Sequence, residues 1–317
     1  MQKIIRGFYN LPSSANGRRD GCVATIGNFD GVHLGHHAVL NQLAMKGDAL
    51  GLPVVVITFE PQPNEFFSPD KAPARLSRFR EKIEALRCYA IQQLCVLRFN
   101  HKLAQMTAEE FIDQLLVTGL NVRYLVVGDD FKFGKDRQGN FASLQQAGKD
   151  KGFQVVNMHT FSIDSRRVSS TRIRHALETG DLILAEKLLG RPYRMSGRVA
   201  HGDKRGRTMG YPTANIHLHR HKVPLSGVYA VRFFGIEDEP IQGVANVGIR
   251  PTFGAEHALL EVHLFDFKRD IYGEHVQVHF LRKLRDEKKF ESLDSLIAQI
   301  DIDCKQARLF FAEPPVE

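Results

Sequence analysis

The strongest constraint on the fold is a change of periodicity along the chain. Between residues 22 and 158, short apolar and β-branched runs such as 22–27 and 53–59 alternate with amphipathic helical patterns. Uninterrupted apolar strands of this kind are buried on both faces, which favours a parallel sheet covered by helices. After residue 193, strand-like segments with period-two alternation follow one another without helices between them. That pattern predicts an antiparallel sheet or a small barrel.

Two domains are therefore expected, and the length of 317 residues agrees with two cores, because domains cluster near roughly 100 to 200 residues. Residues 1–188 are predicted to form an α/β domain with a Rossmann-like parallel sheet. Residues 189–317 are predicted to form an antiparallel β-barrel followed by a terminal helix. The predicted helices lie near residues 35–50, 77–90, 107–118 and 290–311, with two further short helices before the domain boundary that end at Gly180 and Gly190. The predicted strands of the first domain lie at 22–27, 53–59, 93–99, 124–128 and 153–158.

Composition restricts the location and the partners of the protein. The amino terminus has too short an apolar core for a signal peptide, and no apolar run is long enough to cross a bilayer. Four widely spaced cysteines fit neither a disulfide framework nor a CxxC metal clip. The net charge of +7 suits small polyanions such as nucleotides, while the basic residues are too dispersed to indicate a nucleic-acid surface. We expect a cytoplasmic monomer or weak homo-oligomer without nucleic-acid or membrane partners.

One glycine-rich loop carries a dense group of histidines. The segment GNFDGVHLGHHAVL, residues 27–40, begins where an apolar run ends and a helical pattern starts. Ligands of open α/β sheets bind at the carboxyl ends of strands, and a helix N-terminus attracts anions. His33 and His36 are three residues apart, so a helical turn places both rings on one side, whereas His37 points elsewhere. We interpret the pair as groups that neutralise charge in a phosphoryl-type transition state.

Two other interpretations of these histidines stay open. The rings can cap a helix or lie exposed to solvent without any chemical role. A zinc site is the other possibility, although the segment lacks an HExxH arrangement and a nearby pair of cysteines. The glycines at positions 27, 31 and 35, which let the backbone approach a ligand, favour the phosphate site.

The segment GNFDGVHLGH resembles the HxGH signature of the nucleotidyltransferase superfamily, in the form found in its FAD synthetase (FMN adenylyltransferase) branch. The segments 58–67, 126–139 and 168–174 resemble that branch as well. The resemblance implies that His33, His36 and Arg172 act in adenylyl transfer. It also implies nucleotide or flavin contacts for Gly27, Phe29, Asp30, Gly35, Asp130, Phe131, Arg167, Ser170 and Thr171.

The physical chemistry of these later segments agrees with the resemblance without requiring it. Ser169 or Ser170 is a favourable N-cap, and Arg172 in the first turn adds a donor fork to exposed N–H groups. An ordinary capped helix has the same pattern. For Asp130 and Phe131, the other interpretation is a loop at a strand end with a buried phenylalanine.

A second group of candidate residues follows the predicted domain boundary. Gly202, Gly206 and Gly210 lie among basic residues, which suits a loop that folds over phosphates, and an ordinary glycine-rich connection looks similar. Thr213 and Asn215 offer two hard oxygen ligands suited to Mg²⁺ that is shared with nucleotide phosphates. Taken alone, the tetrapeptide PTAN that contains them is expected to form a turn.

A strictly alternating segment carries the candidate general base. In ALLEVHLFDF, Leu260 and Val262 lie on one face of the predicted strand, while Glu261 points away from that apolar face. Such a carboxylate is usually solvated, but it is also a group that can take a proton from a hydroxyl attacking ATP. The alternating histidines of HLHRH suit either metal chelation or a polar face, and we assign no role to His217, His219 and His221.

Four segments of the second half, GRTMGYPTANI, PLSGVYAV, GVANVGIRPTFG and LEVHLFDFKRDIYG, resemble the riboflavin kinase module in the same order. The resemblance implies that Thr213 and Asn215 hold Mg²⁺ and that Glu261 is the general base for the ribityl 5′-hydroxyl. Met209 and Tyr211 occupy positions where leucine and phenylalanine are expected, and both changes are conservative.

The whole chain thus resembles the prokaryotic bifunctional riboflavin kinase/FAD synthetases. The resemblance implies Mg²⁺ as cofactor, ATP as co-substrate, and riboflavin, FMN and FAD as substrates or products. Two rivals stay open. One is a class I aminoacyl-tRNA synthetase, whose HIGH element is similar to HLGH, although no KMSKS-like sequence follows. The other is a flavin-binding regulator without turnover.

Overall fold

The computed structural model describes residues 3–11, 21–128, 130–158, 161–201, 210–220, 222–252 and 255–313. The chain divides into two compact units. One comprises Met1–Pro73 and Lys82–Val168, and the other comprises Ala74–Glu81 and Ser169–Glu317. The boundary expected for the functional modules, between residues 188 and 189, differs from this division and stays a prediction.

Regular elements cover most of the described chain. The strands are β1 (Lys3–Arg6), β2 (Cys22–Ile26), β3 (Val54–Phe59), β4 (Gln93–Leu97), β5 (Val122–Val127), β6 (Gln154–Asn157), β7 (Ser162–Ile163), β8 (Arg166–Arg167), β9 (Tyr193–Ala200), β10 (Thr213–His217), β11 (Gly227–Phe234), β12 (Ile241–Thr252), β13 (Ala255–Leu264) and β14 (His275–Arg285). The helices are α1 (Leu34–Leu50), α2 (Pro63–Phe67), α3 (Phe79–Leu86), α4 (His101–Ala104), α5 (Ala108–Phe111) with a π-helical continuation (Ile112–Gly119), α6 (Phe141–Lys151), α7 (Ser170–Glu178), α8 (Leu182–Leu189) and α9 (Leu293–Ala312).

The first unit is built on a six-stranded sheet with the order β1-β4-β3-β2-β5-β6, in which all neighbours are parallel. Every residue of β2 and β3 is buried, which confirms the parallel sheet predicted from uninterrupted apolar runs. The strand order reverses between β2 and β5. The loops that follow these two strands therefore lie at the switch point, where open α/β sheets bind ligands.

Several short elements are not predicted by periodicity. Strand β1 lies at the sheet edge, where it pairs with β4, and β7 pairs with β8 in a short antiparallel hairpin. Helix α2 begins after Gln62, whose backbone N–H donates to the Glu65 carboxylate (2.9 Å). Helix α4 begins after Asn100, whose side chain accepts from the N–H of Leu103 (3.0 Å). Capping pairs, rather than an amphipathic period, specify such short helices.

The second unit is built on a closed antiparallel barrel with the order β10-β13-β12-β11-β14-β9, which confirms the predicted barrel. Leu260 and Val262 have no exposed area and fill its interior, while Glu261 between them is half-buried on the outer face. The PTAN tetrapeptide does not form the turn expected of it in isolation. Three of its residues belong to β10, because β9 and β13 pair with this segment on its two sides.

Helix α9 confirms the predicted terminal helix and packs on the outer face of the barrel. Its Cys304 and Ala307 form an apolar cluster with Val244 of β12 and with Phe265, which follows β13. Sequence alternation places Phe265 on the same polar face as Glu261. The structure buries it instead, because α9 covers this part of the outer face.

The segment 74–81 packs against the barrel, although it comes from the first half of the sequence. Arg78 donates to the carbonyl oxygens of Ser196 (2.8 Å) and Leu218 (2.9 Å). Glu81 accepts from the backbone N–H of Ser196 (2.8 Å) and forms an ion pair with Arg220 (2.5 Å). Both side chains of this ion pair are almost fully buried. The segment is thereby held by charged groups that no local sequence pattern connects.

Candidate active sites

The histidine loop connects β2 to α1. His33 is the N-cap residue of α1, and its carbonyl oxygen accepts from the N–H groups of His36 (2.7 Å) and His37 (3.0 Å). The rings of His33 and His36 stack with centroids 3.7 Å apart, and His36 Nδ1 accepts from the backbone N–H of His33 (3.3 Å). Since His33 is 5% exposed, the pair is not simply solvated. The structure confirms that both rings lie on one side of the first turn.

His37 points away from this pair, as the spacing predicts. Its Nε2 lies 3.2 Å from the carbonyl oxygen of Val32, and its ring lies edge-on to Tyr89 with centroids 4.9 Å apart. The ring of Phe29, by contrast, lies 4.9 Å from that of His36. Phe29 and the stacked imidazoles therefore form one aromatic group at the carboxyl end of β2.

The backbone of this loop adopts angles that are unfavourable for its residues. Phe29 and Val32 have φ angles of 48° and 43°, and the left-handed region costs a residue with a Cβ roughly 1–2 kcal/mol. Strain of this kind concentrates at functional sites. At Gly35, a Cβ atom would lie 3.1 Å from the His33 ring and 3.2 Å from the carbonyl oxygen of Val168. Glycine at this position therefore leaves room for the His33 ring.

The remaining predicted residues of this loop lie in the same short segment. Gly27 directly follows β2, and a Cβ atom there would lie 3.2 Å from the ring of Phe29. Asp30 is 2% exposed, so its carboxylate lies inside the loop rather than in solvent. The structure thus groups Gly27, Phe29, Asp30 and Gly35 at one strand end. Their contact with a nucleotide stays a prediction.

The loop after β5 brings two more predicted residues together. The exposed carboxylate of Asp130 lies 3.6 Å from the guanidinium group of Arg167. Phe131 is half-buried, packs against the core of the sheet and stacks on Phe133 with centroids 5.5 Å apart. Phe131 therefore packs partly in the hydrophobic core, as expected if it has no contact with a ligand. The side chains of Asp130 and Arg167 are accessible to a ligand.

The first turn of α7 lies in the second compact unit and carries the residues predicted to bind the nucleotide in adenylyl transfer. The hydroxyl of Ser169 accepts from the N–H of Arg172 (3.3 Å), so Ser169 rather than Ser170 is the N-cap. Ser170, Thr171 and Arg172 form the first turn, where backbone N–H groups lack partners within the helix. Thr171 is exposed, and the other two are half-buried. An anion can bind such a turn, but a capped helix without a ligand has the same geometry.

Strand register brings the predicted kinase residues together on the outer face of the barrel. Asn215 of β10 lies directly opposite Glu261 of β13, and Thr213 lies directly opposite His263. Side chains in such pairs have Cβ atoms about 4.5–5.5 Å apart. All four side chains are half-buried. The candidate base and the two candidate metal ligands therefore belong to one polar patch.

Two neighbours of this patch are not among the residues predicted from the sequence. Asn246 of β12 lies directly opposite Glu261 on its other side, so two amide-bearing residues flank the carboxylate in one row across three strands. Tyr211, at the position where phenylalanine is expected, donates its hydroxyl to Asp301 of α9. This hydrogen bond, with partial burial, raises the pKa of Tyr211 to about 12. The added hydroxyl thus joins the barrel to its terminal helix.

A cavity of about 500 Å³ adjoins Thr213 and Asn215. Its volume falls in the range of roughly 300–1,000 Å³ typical of ligand sites. Gly210 contributes to its lining, and the charged side chains there are Lys268, Arg269 and Asp270, so the lining carries a net positive charge. Sequence reasoning singled out neither cation, because a basic pair in a loop has no distinctive spacing. The lining of the cavity suits a polyphosphate.

The donor atoms of this patch fit Mg²⁺ better than a softer metal. Hydroxyl and amide oxygens are hard ligands, and Mg²⁺ is bound by few protein groups together with phosphates and water. The Nδ2 atom of Asn215 points to the backbone carbonyl of Thr213 (3.5 Å), which leaves the amide oxygen directed elsewhere. Among the described residues, no three His, Cys, Asp or Glu side chains come together as a metal site. The predicted Gly202, Gly206 and His221 lie outside the described residues.

Known proteins resemble this chain over both units. The FAD synthetase family profile matches residues 16–172, and the riboflavin kinase family profile matches residues 189–311. The bifunctional riboflavin kinase/FMN adenylyltransferase of Haemophilus influenzae is 52% identical over 309 residues, which cover 98% of this chain and 99% of the relative. Its counterpart in Escherichia coli K12 is 50% identical, with 98% of both chains covered. The Pseudomonas fluorescens protein of the same description is 49% identical over 311 residues.

One solved structure shares the fold over nearly its whole length. A crystal structure described as a macrolide-efflux protein from Streptococcus pneumoniae has a TM-score of 0.77 and 32% identity, with 96% of this chain and 98% of that chain covered. The efflux named in this description refers to the Streptococcus pneumoniae protein. In the part of the present chain that the structure describes, no helix has the length and apolar character that a membrane crossing requires.

Proposed function

The chain belongs to the bifunctional riboflavin kinase/FMN adenylyltransferase family, and from this premise we propose how its residues divide the two reactions. The protein phosphorylates riboflavin with ATP to give FMN. It then transfers AMP from a second ATP to FMN, which gives FAD and pyrophosphate. We assign the kinase reaction to residues 189–317 and the adenylyl transfer to residues 1–188.

The kinase reaction is assigned to the polar patch on the barrel. The ribityl 5′-hydroxyl attacks the γ-phosphorus of ATP, Glu261 takes the hydroxyl proton, and ADP leaves. Thr213 and Asn215 are proposed to hold Mg²⁺, which when bound offsets negative charge on the phosphate oxygens. The observation that supports this assignment is the register that sets Asn215 opposite Glu261 beside a basic cavity.

The adenylyl transfer needs no general base. The phosphate of FMN is already an anion, and one of its oxygens attacks the α-phosphorus of ATP as pyrophosphate leaves. The protein contributes orientation and neutralisation of charge. His33 and His36 are proposed to donate hydrogen bonds to phosphate oxygens, and Arg172 to neutralise charge on the leaving group. The stacked imidazoles at the start of α1 support this role.

The other predicted residues are proposed to bind substrates. Those of the adenylyl-transfer reaction are Gly27, Phe29, Asp30, Gly35, Asp130, Phe131, Arg167, Ser170 and Thr171. Those of the kinase reaction are Gly202, Gly206 and Gly210. We further propose that the enzyme acts in the cytoplasm, where its four free cysteines stay reduced. A monomer or weak homo-oligomer without nucleic-acid or membrane partners stays a prediction.

Product analysis of two variants tests the assignment. Purified protein is incubated with riboflavin and Mg-ATP, and the flavins are resolved by chromatography. His36→Ala is expected to accumulate FMN, because it retains the kinase and loses adenylyl transfer. Glu261→Gln is expected to form no FMN and still to adenylate supplied FMN. General acid–base groups contribute roughly 10²- to 10⁴-fold to rate, so the kinase loss should fall in that range.

Matched variants control for indirect effects. His37→Ala changes the adjacent imidazole, which points towards Val32 and Tyr89, and should leave adenylyl transfer within a few-fold of the unmodified protein. Asp266→Asn changes an exposed carboxylate paired with Arg308 and should leave the kinase intact. If His36→Ala and Glu261→Gln each lose both activities while staying folded, the division of the two reactions between residues 1–188 and 189–317 is wrong.

A further inference from the structure

A row of basic side chains lies on the outer wall of the barrel. Arg194 of β9 and Arg232 of β11 lie directly opposite His279 of β14, one on each side. Their neighbours along the three strands fill the interior, where Met195, Phe233 and Val278 are at most 1% exposed. The three side chains therefore project outwards, and we call them the basic row.

The basic row is separate from the proposed kinase patch. In the closed strand order, β14 lies three strands from β13 in either direction. The row and Glu261 therefore lie on opposite sides of the barrel. Neither proposed reaction uses Arg194, Arg232 or His279.

Three arginine side chains lie close enough to His279 to affect its protonation. Arg191 adds a third guanidinium group to those of Arg194 and Arg232. Burial, reinforced by the three arginines, lowers the pKa of His279 to about 4, so the ring is neutral at pH 7. The ring lies against Phe234, with centroids 4.3 Å apart. Its Nε2 atom is buried and has no hydrogen-bond partner among the described residues.

The nearby carboxylate of Glu81 does not neutralise the basic row. Glu81 contacts Ser196, two residues from Arg194 on β9, but its carboxylate is already paired with Arg220 and lies 3.9 Å from Arg78. Neither arginine of the row forms an ion pair with a described residue. The guanidinium groups on the two sides of the imidazole repel each other weakly across two strand spacings, and a bound anion offsets both charges.

We propose that Arg194, His279 and Arg232 form a binding site for a small anion with two linked phosphoryl groups, of the diphosphate class. Guanidinium groups match phosphate oxygens through paired hydrogen bonds. Because His279 Nε2 is buried, Nδ1 is the ring atom that can donate a further hydrogen bond to the anion. The two arginines stand two strand spacings apart, about 10 Å between backbones. A diphosphate spans this interval better than orthophosphate does. Pyrophosphate, which adenylyl transfer releases, belongs to this class.

A local spectroscopic titration tests the site. The full-length protein is labelled with ¹⁵N-histidine, and the His279 ring signals are identified by their loss in His279→Gln. Pyrophosphate at about 0.15 M salt should shift these signals with half-saturation below about 1 mM. Orthophosphate should bind at least roughly tenfold more weakly, because it engages fewer donors. The local signal distinguishes this site from any pyrophosphate bound where adenylyl transfer occurs.

Four arginine variants decide the outcome: three single substitutions and one double substitution. Arg194→Gln and Arg232→Gln should each weaken the pyrophosphate-dependent shift roughly tenfold or more, with both enzyme activities unchanged. Arg282→Gln, an exposed arginine on the same strand as His279, should leave the shift unchanged. Arg194→Gln and Arg232→Gln each remove a repelling cation, so both variants should unfold thermally at the same temperature as the unmodified protein or at a higher one. A signal that does not move at about 10 mM pyrophosphate, an unchanged shift in the Arg194→Gln/Arg232→Gln double variant, or equal affinity for orthophosphate overturns the proposal.

Discussion

Different structural devices position the candidate groups of the two reactions. In the parallel-sheet unit, His33 and His36 lie where the loop after β2 enters α1, and the left-handed backbone angles of Phe29 and Val32 set the course of that loop. In the barrel unit, Thr213 and Asn215 lie on a strand, and register with β13 sets their position relative to Glu261. The first arrangement therefore depends on local backbone geometry. The second depends on the alignment of segments far apart in the sequence.

The largest expected effect concerns the buried ion pair that ties segment 74–81 to the barrel. Glu81→Gln leaves the charge of Arg220, whose side chain is 2% exposed, without a carboxylate. Breaking one partner of a buried pair costs about 3–5 kcal/mol, so the free energy of unfolding of the barrel unit should fall by that amount in denaturant titrations. Glu313→Gln breaks an exposed pair with Arg282 and should cost less than about 1 kcal/mol. Similar losses in both variants contradict this account of the barrel.

A smaller effect is expected where local geometry is perturbed in the histidine loop. Gly35→Ala places a Cβ atom 3.1 Å from the His33 ring and should displace that ring. The contact requires the ring to move by a few tenths of an ångström, and a misplacement of about 1 Å costs roughly 100-fold in rate. Adenylyl transfer should therefore fall severalfold, by less than about 100-fold, in initial-rate assays, while the kinase is unchanged. Gly51→Ala, at the other end of α1, has no atom within 4 Å but a φ of 64°. Gly51→Ala should lower the free energy of unfolding by about 1–2 kcal/mol without slowing adenylyl transfer. If Gly51→Ala slows adenylyl transfer as much as Gly35→Ala does, the effect at Gly35 is not local.

On the barrel, removal of a single oxygen should produce the opposite pattern, in which the kinase reaction is slowed and adenylyl transfer is not. Thr213→Val keeps the shape of the side chain and removes the hydroxyl. Kinase turnover should fall at least roughly 10- to 100-fold, as when a metal site loses one supporting group, and excess Mg²⁺ should restore part of it. Adenylyl transfer should not change. His217→Val, on the same strand, is the control, and an equal loss there means that β10 was disturbed rather than a ligand removed.

The smallest expected effect is a pH dependence of barrel stability. Burial and neighbouring arginines lower the folded-state pKa of His279 to about 4, against an ordinary value of about 6.5. Between these pH values the unfolded chain binds a proton at His279 that the folded chain does not. The free energy of unfolding is therefore unaffected by His279 above about pH 6.5 and decreases as the pH falls towards 4. Denaturant titrations at about pH 7 and about pH 5 should show a shallower loss for His279→Asn than for the unmodified protein. A loss in His279→Asn that equals or exceeds that of the unmodified protein contradicts the assignment.

Much of the architecture follows from sequence patterns because it depends on periodicity. The uninterrupted apolar runs of β2 and β3 predict a buried parallel sheet, and the alternation around Glu261 predicts which residues face the interior of the barrel. The spacing of His33 and His36 predicts that their rings share one side of a turn. Each of these predictions concerns residues close together in the chain.

What the sequence does not reveal is which distant segments meet. Alternation places Asn246 and Glu261 on outward faces, but only register sets them opposite each other. The return of segment 74–81 to the barrel depends on Glu81 and Arg220, which are 139 residues apart. The basic row likewise requires three strands to align. Long-range pairing of this kind is a property of the folded barrel and leaves no periodic signal in the chain.

A complementation assay tests the separation of the two reactions most directly. His36→Ala and Glu261→Gln are mixed with riboflavin and Mg-ATP, and flavins are followed by chromatography. We predict that neither variant alone makes FAD from riboflavin, and that the mixture does, because FMN released by the first protein reaches the second. Accumulation of FMN without FAD in the mixture, with both variants folded, would contradict the account.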